Sequence, residues 1–293
     1  MGHEDFSDAA LILMGHGTSL NEESSAPVYQ HAEEIRKRNL FARVREGFWK
    51  QDPQVSSVLS QETGRPELDA RSHRIFITPL FISEGYFSER VIPQALGFRL
   101  PNGRLERCQQ CEGQELFYCK PVGTHESMTA VLLARAREVV QRFPFPRAPM
   151  PKDITLFIAG HGTEQDQNSR VAIERQAELV RSVNLYADVH TVYLDEDPRI
   201  PRCFQIAQTK NIVMVPFFIS DGLHVREDIP VLLGEPERIV QARLAQGQPT
   251  WRNPTEKQGK LVWYSPSVGT EPSITDVIIE RVREAARCCP LRG

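Results

Sequence analysis

The sequence has no apolar run that approaches the roughly 18 residues a membrane-spanning helix needs. Its first residues, Met-Gly-His-Glu-Asp-Phe-Ser-Asp, are acidic and lack an apolar core, so they do not read as a secretory signal. Neither sign of charge is in large excess. Lys and Arg total 35 against 38 for Asp and Glu, which gives −3 at pH 7 and removes the electrostatic reason to expect nucleic acid or a membrane surface as partner. Cysteine is scarce as well. Six in 293 residues do not form the disulfide framework of a small secreted domain, and a reducing cytoplasm is the expected location. A chain of this length is expected to form about two domains.

What the sequence does contain is a repeat. Leu11-Ile12-Leu13-Met14-Gly15-His16-Gly17-Thr18 returns as Leu156-Phe157-Ile158-Ala159-Gly160-His161-Gly162-Thr163. Each copy is an apolar run that reads as a buried strand ended by glycine, which places its histidine at the strand's C-terminal end, where open α/β sheets bind ligands. Flanking glycines are expected to keep bulk away from the ring. Further landmarks follow in the same order: Asp52-Pro53 and Asp197-Pro198, then Ile75 to Gly85 and Ile212 to Gly222, then Val122-Gly123-Thr124 and Val268-Gly269-Thr270. The offset is 145 at the histidines (161 − 16), falls to 137 at the prolines (216 − 79) and returns to 146 at the last landmark (268 − 122). The fall assigns the first half eight extra residues around Ser60 to Ser72.

Helical patterns separate the strands, at Ala26 to Arg38, Met128 to Arg142, Ser169 to Val183 and Ile274 to Arg287. In the third, Val171, Ala172, Gln176, Leu179 and Val183 lie near one stripe. Strands alternating with helices predict an α/β fold of two tandem Rossmann-like lobes related by a pseudo-two-fold duplication. Each lobe is expected to be a small sheet of about four parallel strands with helices on both faces. Phe143 to Pro151 holds four prolines and reads as a stiff connector, which puts the lobes at 1–146 and 152–293.

The halves differ after the Pro79 and Pro216 strands. Aligning Ser83-Glu84-Gly85-Tyr86-Phe87-Ser88-Glu89-Arg90-Val91-Ile92-Pro93 with Ser220-Asp221-Gly222-Leu223-His224-Val225-Arg226-Glu227-Asp228-Ile229-Pro230 sets Phe87 opposite His224 and Val91 opposite Asp228. The second half therefore has two strand-end histidines, His161 and His224, with Glu227 and Asp228 nearby. Two imidazoles and a carboxylate suit either ligation of a first-row metal or proton transfer near neutral pH.

Gly-His-Gly-Thr after a strand, followed by Pro-Phe-Phe-Ile-Ser-Asp-Gly-Leu-His-Val-Arg-Glu-Asp-Ile-Pro, resembles the CbiX-type sirohydrochlorin chelatases, in the double-length form with two fused halves. The resemblance spans nearly the whole chain, and the second loop is its specific part. It implies insertion of a divalent metal, Co2+ foremost and Ni2+ or Fe2+ otherwise, into sirohydrochlorin or a related tetrapyrrole held in a cleft between the lobes. The metal is a substrate, and no organic cofactor is implied. The resemblance assigns the metal to His161 and His224, and insertion also needs a nearby base, for which a histidine or Glu227 is the candidate. His16, Phe87 and Arg226 become tetrapyrrole-side residues, with Tyr86 beside Phe87 and with Arg90 and Arg170 as further partners for substrate carboxylates. Fusion of the lobes implies a monomer. Phe87 in place of a second histidine motivates the alternative of a tetrapyrrole or metal binder that does not catalyse. A histidine phosphatase would need an arginine before its histidine, where this chain has Met14-Gly15 and Ala159-Gly160.

Cys108, Cys111 and Cys119 lack an obvious fourth ligand for structural zinc, fit an iron–sulfur cluster poorly and read as free thiols or a redox-sensitive pair.

Overall fold

The computed structural model describes residues 5–18, 22–63, 74–162 and 167–288. Thr163 and most of the expected eight-residue excess lie outside these. The first repeat runs β1 (Ala9–Gly15), α1 (Ala26–Lys37), β2 (Arg43–Phe48), α2 (Val55–Thr63), β3 (Arg74–Pro79), α3 (Ile92–Ala95), β4 (Cys108–Cys111), β5 (Gln114–Tyr118) and α4 (Met128–Arg142). The second runs β6 (Ile154–Gly160), α5 (Gln167–Ser182), β7 (Asp188–Tyr193), α6 (Cys203–Ile206), β8 (Asn211–Pro216), α7 (Ile229–Leu232), α8 (Glu237–Ala245), β9 (Thr255–Lys257), β10 (Lys260–Tyr264) and α9 (Ile274–Cys288).

Each repeat forms a five-stranded sheet, in the orders β2-β1-β3-β5-β4 and β7-β6-β8-β10-β9. Four strands in each are parallel, as the alternating pattern predicts, and a fifth is added antiparallel at one edge. The extra strand arises from two-residue hairpin turns at Glu112-Gly113 and Gln258-Gly259, whose residues all have positive φ, the conformation that matches the twist of paired strands. β1 and β6 are interior strands of their sheets, with all seven residues of each buried, which is why both read as unbroken apolar runs.

Helix α5 buries Ala172, Ile173, Gln176, Ala177 and Val180. Val171 and Val183, expected on that stripe, are 62% and 50% exposed. The buried stripe is set by the residues facing β6 and β7, with Ile173 at its centre, so it is rotated from the one the apolar count suggests.

The compact units do not follow the repeat. Residues 1–125 group with 272–293, and residues 126–271 form the other unit. The proline-rich segment expected as the boundary lies inside the second unit. The cause is the packing of the two closing helices. α4 follows the first sheet in sequence but packs on β8 and β10, and Trp263 Nε1 donates to Phe143 O at 2.9 Å just beyond its end. α9 packs on β3 and β5, and Arg281, almost wholly buried in it, donates from Nε to Pro121 O at 3.0 Å. The sequence repeat and the compact unit are thus different partitions of the chain.

Cys108 is disulfide-bonded, but to neither of its two neighbours in the motif, since Cys111 and Cys119 are free thiols. Burial pushes the Cys119 thiol up to about 11, so it stays protonated at neutral pH. No helix among the described residues is long and apolar enough to cross a membrane.

One glycine tests the packing directly. A Cβ at Gly269 would lie 1.9 Å from the carbonyl oxygen of Ile219, a backbone atom that cannot rotate away. Gly269→Ala is expected to destabilise the second unit by about 3 kcal/mol or more. Urea denaturation followed by circular dichroism measures this, and an unchanged midpoint would contradict the packing.

Candidate metal-handling site

The chain leaves β6 for β7 on one side of the sheet and returns to β8 on the other. Loops diverge at such a switch point and open a crevice at the strands' C-terminal edge. β6 and β8 are adjacent, with Ala159 paired to Pro216 at their ends. His161 is the first residue beyond β6, and His224 begins a turn shortly beyond β8. The pairing brings the two rings to a centroid separation of 4.9 Å, nearly perpendicular at 87°.

The glycines around His161 are required by packing and backbone conformation. A Cβ at Gly160 would meet Ile173 Cδ1 of α5 at 2.1 Å. Gly162 has φ +63° and sits against Glu196 and Tyr193, which a side chain could do only with strain.

His224 to Asp228 form a single π-helical turn, followed directly by α7. Pro230 has no N–H to donate to Arg226 O, so an α-helical bond is missing there, and Ile229 N donates five residues back to His224 O. The turn holds His224 Nδ1 2.6 Å from Asp228 Oδ2. A carboxylate only accepts, so the Nδ1 proton is fixed toward Asp228 and the Nε2 lone pair is left for a ligand.

His161 is backed in a similar way from a third loop. Leu194 N and Asp195 N, just after β7, donate to His161 O at 3.0 and 3.2 Å. The Asp195 carboxylate lies 3.2 Å from His161 Nδ1. The angle there is not that of a hydrogen bond, and Nδ1 is buried with no hydrogen-bond partner although the side chain as a whole is 39% exposed. The contact becomes an ion pair whenever the ring takes a proton, which suits a proton acceptor as well as a ligand.

A cavity of about 340 Å³ opens beside His224, lined by it and by the carboxylates of Asp195, Glu227, Asp228 and Glu237, with Leu194 on its apolar wall. This concentration of negative charge draws divalent cations to the crevice. Glu227 accepts a hydrogen bond from Gln241 Nε2 of α8, which fixes one of its oxygens. Among the described residues no three His, Cys, Asp or Glu side chains cluster tightly enough to hold a metal by themselves. Two imidazole nitrogens would leave most coordination positions of a bound ion open, which fits an ion that is to be passed on rather than kept.

The matching edge of the first unit has the same backbone and different chemistry. Phe87 begins an equivalent π turn, Phe87–Val91. Lys50 stands at the position of Asp195, Arg90 at that of Glu227 and Val91 at that of Asp228. His16 places its Nδ1 2.9 Å from Gly17 O, a carbonyl that can only accept, so that nitrogen carries the proton. Tyr86 and Phe87 are 64% and 51% exposed and pack edge to face.

Of the residues expected from the sequence, His161, His224 and Glu227 lie together in the second unit, and Arg226 is on the same π turn, partly buried. His16 and Phe87 belong to the first unit. Arg170 is already committed: it lies over the Tyr193 ring and donates to Glu196 Oε2 at 3.1 Å and Asp197 O at 3.2 Å. Asp195 and Glu237 were not among the expected residues. Asp195 lies beside the matched Asp-Pro pairs, at offset 145 from Lys50, but nothing in the sequence links it to His161. Helix α8, which carries Glu237 and Gln241, corresponds to the rise in offset from 137 to 146, nine residues present only in the second half.

The CbiX family model matches residues 10–139 and 155–285. The probable sirohydrochlorin cobaltochelatase of Halobacterium salinarum is 38% identical over 289 residues, covering 94% of this chain and 91% of that protein. Among solved structures, a Deinococcus radiodurans multi-domain protein described as structurally similar to chelatases, with two additional domains, superposes with a TM-score of 0.72 at 25% identity. The match covers 97% of this chain and 56% of that one. SirB of Bacillus subtilis superposes at 0.68 and 16% identity over 96% of both chains, a likeness of fold.

Removing the carboxylate behind His224 tests its role. Asp228→Asn is expected to weaken Co2+ binding about 10- to 100-fold, while His16→Ala leaves it unchanged. Isothermal titration of each variant with Co2+ measures both, and equal losses would place the ion elsewhere.

Proposed function

The chain belongs to the CbiX family, and on that premise we propose that it is a cytoplasmic metal chelatase, acting as a monomer, that inserts Co2+ into sirohydrochlorin. The observation that carries this reading is the perpendicular His161–His224 pair, each ring backed by a carboxylate, at a switch-point crevice. The name of the Halobacterium relative supports both the substrate and the metal. Imidazole also accepts Ni2+ and Fe2+, and selection among them rests on supply and geometry.

Insertion changes no oxidation state. The ion exchanges water and imidazole nitrogens for the four macrocycle nitrogens, and the macrocycle gives up two pyrrole protons. His161 and His224 hold the ion through ring nitrogens while it sheds water. Glu227, steadied by Gln241, takes one proton, and His161 takes the other as the ion leaves it, with Asp195 stabilising the imidazolium. Arg226 pairs with a substrate carboxylate. In the first unit, exposed Phe87 and Tyr86 offer aromatic surface to a flat ring. His16, Lys50 and Arg90 there suit a carboxylate-bearing macrocycle better than a cation.

Purified protein given sirohydrochlorin and each divalent metal in turn is expected to shift the tetrapyrrole absorption spectrum through many turnovers, fastest with Co2+. His161→Ala and His224→Ala abolish turnover, and Glu227→Gln lowers kcat about 100-fold. Stoichiometric binding without turnover above the spontaneous rate would instead support a non-catalytic carrier. Full turnover in both histidine variants would end the assignment.

A further inference from the structure

Arg135 of α4 is 5% exposed, deep in the second unit, and each of its three guanidinium nitrogens donates a hydrogen bond. Nε donates to Ser267 O at 2.9 Å, Nη2 to Thr270 Oγ1 at 2.7 Å and Nη1 to Glu138 Oε2 at 2.6 Å. Thr270 passes the connection on. Its hydroxyl proton is shared between Ser267 O and Asp221 Oδ2, each at 3.2 Å. Asp221 Oδ1 in turn accepts from Ser267 N at 2.7 Å.

Asp221 opens the loop that ends in His224, and Gly222 O accepts from Val225 N and Arg226 N inside the π turn. The far side of that turn is held by Tyr264, whose hydroxyl donates to Val225 O at 2.6 Å and stays protonated because full burial raises its pKa well above the ordinary tyrosine value. The His224 turn is therefore suspended between two buried anchors, one of them a chain of charge-assisted bonds that begins on α4.

The first unit repeats the arginine but not the chain's end. Arg281 donates to Pro121 O at 3.0 Å and to Thr124 Oγ1 at 2.6 Å, with Glu284 as its carboxylate partner. There Glu84 stands at the position of Asp221, Phe87 at that of His224, and the hydroxyl of Tyr118, the counterpart of Tyr264, is buried without a partner. The shorter carboxylate and the Tyr264-type anchor occur on the edge that keeps the second histidine.

We propose that Arg135 is a positioning residue for the metal substrate: through Thr270 and Asp221 it fixes the loop that aims His224 at the ion. This rests on the reading that His161 and His224 hold the metal. The chain of contacts is Arg135 Nη2 to Thr270 Oγ1 to Asp221 Oδ2, then three residues along the backbone to His224. Lysine cannot replace the guanidinium, because a single ammonium cannot reach Ser267 O, Thr270 Oγ1 and Glu138 together in this planar arrangement.

The test is Co2+ titration of the full-length protein by calorimetry, with thermal melting of every variant. Arg135→Lys, Thr270→Val and Asp221→Asn are each expected to weaken Co2+ binding about tenfold or more, the effect of losing an outer partner of a metal ligand. Thr270→Ser, which keeps the hydroxyl, retains wild-type affinity. Arg281→Lys is the control for packing, since it cuts the same bonds in the first unit, and it is expected to lower the melting temperature comparably without changing Co2+ affinity. Equal weakening in Arg135→Lys and Arg281→Lys, or wild-type affinity in Asp221→Asn and Thr270→Val, overturns the proposal. His161→Ala and His224→Ala run beside them. If those two bind Co2+ like the wild type, the metal-site reading itself falls and the positioning role falls with it. If they lose binding while Arg135→Lys does not, only the positioning role is overturned.

Discussion

The parallel pairing of β6 with β8 is the constraint on which the candidate site depends. His161 and His224 stand 63 residues apart in sequence (224 − 161). They meet because Ala159 and Pro216 are register partners at the ends of neighbouring strands. Strand pairing fixes the two exits within a few ångströms, and the switch in strand order keeps the loops from closing over one another. The third contributor, Asp195, enters from β7, the strand on the other side of β6, through its backbone bond to His161 O. Three adjacent parallel strands thus deliver two imidazoles and the carboxylates of Asp195, Glu227 and Asp228 to one crevice, and neither ring depends on a long flexible loop for its position.

The duplication shows how one backbone is put to two chemical uses. Both units end their inner strand in Gly-His-Gly, and both carry a π turn before an Ile-Pro helix start. At three matched positions the second unit carries Asp195, His224 and Asp228 where the first carries Lys50, Phe87 and Val91. Backbone geometry is conserved by steric requirements such as Gly162 against Glu196 and the missing N–H of Pro230. Side chains pointing into the crevice carry no such requirement, so they were free to diverge while the fold stayed the same.

The closing helices make the duplication more than a tandem array. α4 and α9 each pack on the sheet of the other repeat, and each brings a buried arginine that binds the loop after a sheet strand. A buried guanidinium with a partner on each nitrogen is costly to disturb from either end. In the second unit this arginine lies at the start of the bonded path to Asp221, so the packing of α4 and the placement of His224 are parts of one structure.

The sequence alone determined the repeat, the parallel α/β class, the strand-end location of His16 and His161 and the loss of the second histidine at Phe87. Each of these is a local property: apolar runs, glycine punctuation and matched offsets record strand ends directly. The family likeness was legible in one loop for the same reason. Tertiary structure alone decided what depends on packing at a distance. It brought Asp195 to His161, because only the β6–β7 pairing makes them neighbours. It placed α8 and Gln241 against Glu227, where the sequence showed only nine additional residues. It rotated the buried stripe of α5 away from Val171, and it moved α4 and α9 onto the opposite sheets. An amphipathic helix such as α4 carries an apolar stripe that fits either sheet, and which one it covers is settled by shape and by the partners of Arg135.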